Sequence, residues 1–205
     1  MKFTIVAGAP GQDAQFLKNN IDLDSFIIAA DSGYVTCEKA KVKPNIIIGD
    51  FDSSKKPQTN INILQLPSIK NDTDTFYCIK EAVKRGADEI EIFCALGGRA
   101  DHTLSNILNL EYCLENNVKA SIVSEKCVLS LHNNGFEICK GDFKYFSLFA
   151  IGGSVSGLSI KGAAYELDDY TLSPFASIGQ SNEFKNSIVN IDFKNGVLLL
   201  VLSND

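Results

Sequence analysis

Short apolar runs alternate with helix-period segments through the first 123 residues, and short apolar runs alone fill the remainder. FTIVA (3–7), FIIAA (26–30), the Ile46-Ile47-Ile48 run, NILQL (62–66), IEIFCAL (90–96) and residues 120–123 each end at a polar or glycine-containing turn, which predicts six strands. Between them the pattern predicts a short helix over 14–19, a helix with Tyr34, Cys37 and Ala40 on one face, and an amphipathic helix over 75–85. In that third helix Phe76, Ile79, Ala82 and Val83 share a face and Gly86 is the stop. A fourth helix carries Leu104, Ile107, Leu108 and Leu114 along its apolar face and ends near Asn116-Asn117. Strands alternating with helices predict a parallel sheet covered on its faces, a three-layer α/β domain over residues 1–126. From about Cys127 the helical period disappears. Runs at 128–131, 136–139, 145–151, 155–160, 164–167, 188–193 and 197–202 are separated by turns such as Asn133-Asn134-Gly135, Gly152-Gly153 and Lys194-Asn195-Gly196. Residues 127–205 therefore read as an antiparallel sandwich or barrel.

Composition narrows the partners. With 45% hydrophobic and 21% charged residues, the 205-residue chain has enough apolar surface for a packed core. Its net charge of −6 and pI of about 5.0 give no basic footprint, which argues against nucleic acid and means that a bound phosphate would need a metal. The opening MKFTIVAG is too short for a signal-peptide core or a membrane span and reads as a first strand. Six cysteines stand singly at 37, 78, 94, 113, 127 and 139 with no CxxC pair, the usage of small buried hydrophobes in a reducing cytosol.

In a covered parallel sheet, ligands sit beyond the carboxyl ends of the strands, where the polar loops of this chain fall. One of them, PNIIIGDFDSS (44–54), offers Asp50 and Asp52 one residue apart. On an extended backbone the two carboxylates share a face, a claw suited to Mg²⁺, which takes one or two carboxylates and leaves its other positions to water and phosphate oxygens. The other reading is a solvated turn. The GAPGQD loop (8–13) lacks the third glycine of GxGxxG and the GK[ST] of a P-loop, so it signals neither site. In Asn71-Asp72-Thr73-Asp74 the acids either cap the following helix or serve a site at its N-terminus. The GGRADHT loop (97–103) has glycines that allow close backbone approach and Arg99, which is either a phosphate fork or a surface charge. His102 reads as a packing or capping residue and His132 as structural. No Ser-His-Asp or Cys-His pairing emerges.

Taken in order, AADSG (29–33), GDFDSS (49–54), KNDTDTF (70–76), LGGRADHTLSNI (96–107) and GQSNEF (179–184) resemble the thiamine pyrophosphokinase family. The resemblance implies an N-terminal α/β catalytic domain and a C-terminal β-sandwich. It further implies a homodimer with thiamine bound where domains of two subunits meet, and transfer of the pyrophosphoryl unit of ATP to thiamine's hydroxyl, giving thiamine diphosphate and AMP. By the same resemblance Asp50, Asp52 and Asp74 are Mg²⁺ ligands, and Asp31, Asn71 and Thr73 lie on the ATP side. Arg99 holds phosphates and Asp101 lines the same pocket. Ser181 and Asn182 contact thiamine, while Tyr165 either stacks on a thiamine ring or is an ordinary strand aromatic. The chain departs from the family pattern twice: Asn71 replaces the first acid of Lys-Asp-x-Thr-Asp, and Gln180 stands where Thr usually precedes Ser-Asn. Two other readings exist. Asp50-Phe51-Asp52 matches the DxD of a nucleotide-sugar glycosyltransferase, and the lost acid at Asn71 suits a non-catalytic sensor of thiamine diphosphate or nucleotide.

Overall fold

The computed structural model describes residues 1–11, 14–52 and 57–204; Ser53 and Ser54, which end the acidic-claw stretch, lie outside them. The chain divides into two compact units, Met1–Glu125 and Lys126–Asp205.

In the first unit six parallel strands, β1 (Lys2–Val6), β2 (Phe26–Ala30), β3 (Ile46–Gly49), β4 (Asn62–Gln65), β5 (Glu89–Phe93) and β6 (Lys119–Val123), run in the order β4-β3-β2-β1-β5-β6. β3 is buried along its whole length, which is why its sequence is an unbroken apolar run and not an alternating one. The edge strand β4 is mostly exposed and correspondingly polar. Helices α1 (Ala14–Asn20) and α2 (Gly33–Ala40) pack together, and Leu17, Cys37 and Ala40 meet Val6, Ile27, Ala29 and Ile47 in one core. Helix α3 (Asp74–Lys84) covers β1 to β3, α4 (Ala100–Glu115) covers β6, and the two helices meet edge-to-face through Phe76 and Tyr112 at 5.2 Å. The expected α/β domain is present.

One expected helix face is not the buried one. In α4 the inward residues are Asn106, Leu110 and Cys113, whereas Leu104 and Leu108 are exposed. Leu110 and Cys113 are three apart and Asn106 four earlier, so a 3.6-residue period is obeyed, but in a phase that brings a polar Asn to the sheet. Of the cysteines, 37, 78, 94 and 113 are buried, Cys127 is half-buried and Cys139 is exposed; burial pushes the Cys37, Cys94 and Cys113 thiols up to about 12.

The second unit is antiparallel. Strands β7 (Cys127–His132), β8 (Phe136–Cys139), β9 (Tyr145–Lys161), β10 (Leu167–Leu172), β11 (Asn182–Glu183), β12 (Ile188–Asp192) and β13 (Asn195–Ser203) enclose a core that includes Phe146, Leu148, Val155, Leu158, Leu172, Val189 and Leu198. Gly152-Gly153 does not end a strand, as the turn signal suggested. β9 runs on as one 17-residue strand with a left-handed residue at Gly152 (φ 70°). Its first half pairs with β13 and β11, and its second with β10 and β12, so one bent strand serves both layers of the sandwich. The predicted run at 164–167 is likewise displaced, the observed strand being Leu167–Leu172.

His132 ends β7 in hydrogen-bond contact with Ser130 Oγ at 2.9 Å and stacks on Phe136 at 3.8 Å between ring centroids. Burial lowers its pKa from 6.5 to about 4. Between those values the unfolded chain binds a proton that the folded chain refuses, so stability falls as pH drops through this window. His132→Gln is expected to remove up to about 3 kcal/mol of that acid sensitivity. Urea unfolding at pH 7 and pH 4.5 checks it, and an unchanged pH slope in the variant would count against it.

Candidate active site

The strand order reverses between β1 and β5, and beyond their carboxyl ends lies a cavity of about 690 Å³. Backbone bonds from Ala7 N–H to the Phe93 carbonyl (2.9 Å) and from Ala9 N–H to the Cys94 carbonyl (3.0 Å) carry the β1–β5 pairing past the strands to the cavity floor. The walls come from the loops after β1, β2 and β5, from the segment leading into α3, and from α4. A crevice at such a reversal is the general ligand position of open α/β sheets.

Two motif glycines bring the walls together. A Cβ on Gly33 would sit 2.1 Å from the Val6 carbonyl oxygen, so only glycine lets α2 start against β1. A Cβ on Gly49 would lie 2.9 Å from Asp31 Cα. The end of β3 thereby reaches the turn after β2, where the Asp31 N–H donates to the Ile48 carbonyl at 2.8 Å and Asp31 lines the cavity with φ 43°.

Asp50 and Asp52 do not form the expected extended pair. β3 ends at Gly49 and Phe51 is left-handed (φ 58°), which breaks the alternation that would have put both carboxylates on one side. Asp50 turns inward and is 6% exposed, while Asp52 is exposed and its N–H donates to Asp50 Oδ1 at 3.2 Å. The partner of Asp50 is Lys70, 8% exposed, whose ammonium contacts Asp50 Oδ2 and lies 3.2 Å from Asp74 Oδ1. That Asp74 oxygen is buried and makes no hydrogen bond. The Lys70 contact holds the Asp50 carboxyl below the usual range. Burial, against the pull of Lys70, pushes Asp74 up. For Lys70 itself burial acts to lower the pKa, but Asp50 and Asp74 together outweigh it and the ammonium is raised. The arrangement is one cation between two carboxylates. Among the described residues no three His, Cys, Asp or Glu side chains converge.

The acid patch before α3 also resolves. Thr73 is the N-cap, its Oγ1 accepting the Phe76 N–H at 3.2 Å, so neither Asp72 nor Asp74 has that role. Asp72 instead pairs with Lys80 at 2.5 Å. Asn71, Thr73 and Asp74 all line the cavity. Arg99 lines it too, at the N-cap position of α4, exposed and paired in a two-pronged contact with Asp101 at 2.6 and 3.1 Å. Asp101 is not among the lining residues; His102, exposed in the first turn of α4, is. Lys70 and Asn106 are among the lining residues that the motifs did not single out. Lys70 stands in KNDTDTF, where its only signal was a lysine beside acids, and Asn106, buried, donates to the Ala95 carbonyl at 2.8 Å and so ties α4 to the end of β5.

The second unit has its own cavity of about 520 Å³, lined by Tyr165, Glu166, Leu167, Ile178, Gln180 and Ser181. Tyr165 is 69% exposed there. Asn182 is 3% exposed and does not line it. Its amide is committed to the backbone of Tyr165, accepting the N–H at 3.0 Å and donating to the carbonyl at 2.7 Å. Ser181 is left-handed (φ 56°), and its N–H donates to Ser147 Oγ at 2.9 Å.

These features define a class: a two-unit chain in which a doubly covered parallel sheet carries an acidic crevice at its switch point and an antiparallel β-sandwich follows. Residues 17–122 match the family model described as thiamin pyrophosphokinase, catalytic domain, and residues 135–198 match thiamin pyrophosphokinase, vitamin B1 binding domain. The first match alone spans more than half of the chain, and the chain belongs to the thiamine pyrophosphokinase family, a family of enzymes. It is 28% identical to thiamine pyrophosphokinase of Bacillus subtilis over 98% of both chains. Its fold superposes on the crystal structure of thiamine pyrophosphokinase from Bacillus subtilis with a TM-score of 0.92, at 27% identity and full coverage of both chains. With the structure of thiamin pyrophosphokinase from Geobacillus thermodenitrificans the TM-score is 0.89, at 25% identity, covering 100% of this chain and 98% of that one. Neither the glycosyltransferase nor the non-catalytic sensor reading is favoured by these matches.

Proposed function

We propose that the crevice of the α/β unit binds ATP with Mg²⁺, that the sandwich cavity takes thiamine, and that the pyrophosphoryl unit passes to thiamine's hydroxyl with release of AMP. The observation that carries this is the Asp50–Lys70–Asp74 cluster at the crevice: a position already built to hold positive charge, with one buried carboxylate oxygen lacking a hydrogen bond. That donor set fits Mg²⁺, which needs only one or two carboxylates when phosphate oxygens complete its shell. Bound between Asp50 and Asp74, the ion would supply charge neutralisation to the phosphate chain. Asp52 is the less engaged member of the proposed ligand set, being exposed and outside the cluster.

The chain's own groups do the rest. Arg99 swings from Asp101 to phosphate oxygens, which suit its planar fork. The Gly97-Gly98 backbone and the start of α3 at Asn71 to Asp74 approach the nucleotide without bulky side chains, and free N–H groups at a helix start favour anions. Asp31 closes the same side of the crevice. Transfer of this kind asks for in-line positioning and charge stabilisation more than for covalent chemistry. On the thiamine side, Tyr165 and Ser181 face the ligand, while Asn182 acts by fixing the backbone of Tyr165. We further propose a homodimer with active sites shared between subunits, working in the cytoplasm, whose reducing conditions suit singly placed cysteines without a CxxC motif. No helix among the described residues is long and apolar enough to cross a membrane.

Incubation with ATP, Mg²⁺ and thiamine tests the reading. Equimolar AMP and thiamine diphosphate are expected. ADP as the nucleotide product would make the protein an ordinary kinase, and binding of both ligands without turnover would make it a sensor.

A further inference from the structure

We propose that Lys70 is an internal counter-cation that holds the divalent-ion position until a metal ion displaces it. The inference rests on the function proposed above and concerns a residue with no assigned role in it.

Asp50 reaches this point from the end of β3, Asp74 from the first turn of α3, and Lys70 from the segment between β4 and α3. The Asp50 and Lys70 side chains are almost fully enclosed and Asp74 is 21% exposed. Two carboxylates at such a site repel each other, and a buried charge is costly unless it is paired. Lys70 between them offsets part of that cost in the absence of any ion. The pairing is uneven. Lys70 engages Asp50 closely, but its contact with Asp74 is an ion pair without hydrogen-bond geometry, and Asp74 Oδ1 is left unsatisfied. A divalent ion binding both carboxylates directly satisfies what one ammonium does not.

Displacement also has a destination. Lys70 lines the crevice, and its ammonium is a compact charge on a flexible four-carbon stem. Once released it points into the space proposed for the phosphates. The positive charge given up by the carboxylates is then delivered to the substrate, and the metal-free chain is spared an open acidic site. A divalent ion must compete with Lys70, so affinity for metal alone is held down.

The test uses Mg²⁺ alone, without nucleotide, on the full chain. Lys70→Met keeps the stem and removes the charge. It is expected to bind Mg²⁺ at least about tenfold more tightly than the parent chain in calorimetric titration, because the competing charge within ion-pair distance is gone. Its melting temperature is expected to be lower without metal and restored by Mg²⁺, whereas the parent chain shifts little. A purely structural role for Lys70 predicts a loss that Mg²⁺ does not repair. Equal or weaker Mg²⁺ binding by the variant overturns the proposal. If Lys70→Met does not fold, the parent chain decides. Amine acylation read by mass spectrometry should leave Lys70 protected without metal and labelled when Mg²⁺ is bound, and a Lys70 that stays protected under saturating Mg²⁺ overturns the proposal. AMP and thiamine diphosphate formation by the parent chain is measured separately, so failure of this inference is distinct from failure of the proposed function.

Discussion

Asp74→Asn is expected to lower turnover roughly 10²–10³-fold, the loss typical when one preorganised electrostatic partner is removed from a reacting centre. The substitution conserves volume and leaves the helix start intact, because Thr73 supplies the α3 cap. It removes the negative charge that would share a Mg²⁺ ion with Asp50. The effect on folding should be small or favourable. Burial raises the Asp74 pKa, so in the metal-free fold the charged form is the disfavoured one and a neutral amide relieves that cost. Steady-state AMP formation and thermal unfolding, measured on the same preparation, check both halves. Turnover within threefold of the parent would remove Asp74 from the site, and a large fall in melting temperature would mean that its role is structural.

Phe146→Ala is expected to destabilise the sandwich unit by about 3–5 kcal/mol, the usual range for truncating a fully buried aromatic. Phe146 has no exposed surface, packs 5.3 Å from the Phe184 ring centroid, and pairs in register with both Leu202 and Asn182. A cavity there loosens the strand carrying the amide that fixes Tyr165, so the proposed thiamine site should suffer with stability. Against a total stability that for most domains is only about 5–15 kcal/mol, the loss is large enough to read directly in denaturant unfolding. Phe146→Leu fills most of the space and should cost much less. A loss below about 1 kcal/mol for the alanine variant would mean that the unit repacks around the gap.

Much of the architecture could be read along the chain. The apolar runs marked β1 to β6, and the helix-period segments between them identified a covered parallel sheet, because strand and helix periods are local properties. Residues of AADSG, KNDTDTF and LGGRADHTLSNI line the crevice, and Gly49 packs against Asp31 at its edge. The misreadings share a cause. Gly152-Gly153 has turn composition, but β13 pairs with β9 on both sides of the bend, at Ile151 and at Ser156, and the strand continues through it. Leu104 and Leu108 suggested an inward face on α4, but the inward phase is set by what the helix packs on, and Asn106 finds a carbonyl partner there. In both cases long-range pairing overrode local composition.

The chemistry divides in the same way. The order of the motifs was enough to place the chain in its family, since residue types at fixed spacing are one-dimensional information. The spacing of Asp50 and Asp52 also suggested a shared face, but that inference assumed an extended backbone, and the left-handed Phe51 sends only Asp50 inward. The meeting of Asp50 with Lys70, 20 residues away, and of both with Asp74 was decided by three segments converging beside the sheet. Charge interactions act through space, and a cation seen in sequence merely as the neighbour of an acid patch becomes, once folded, the ion that lies against both Asp50 and Asp74.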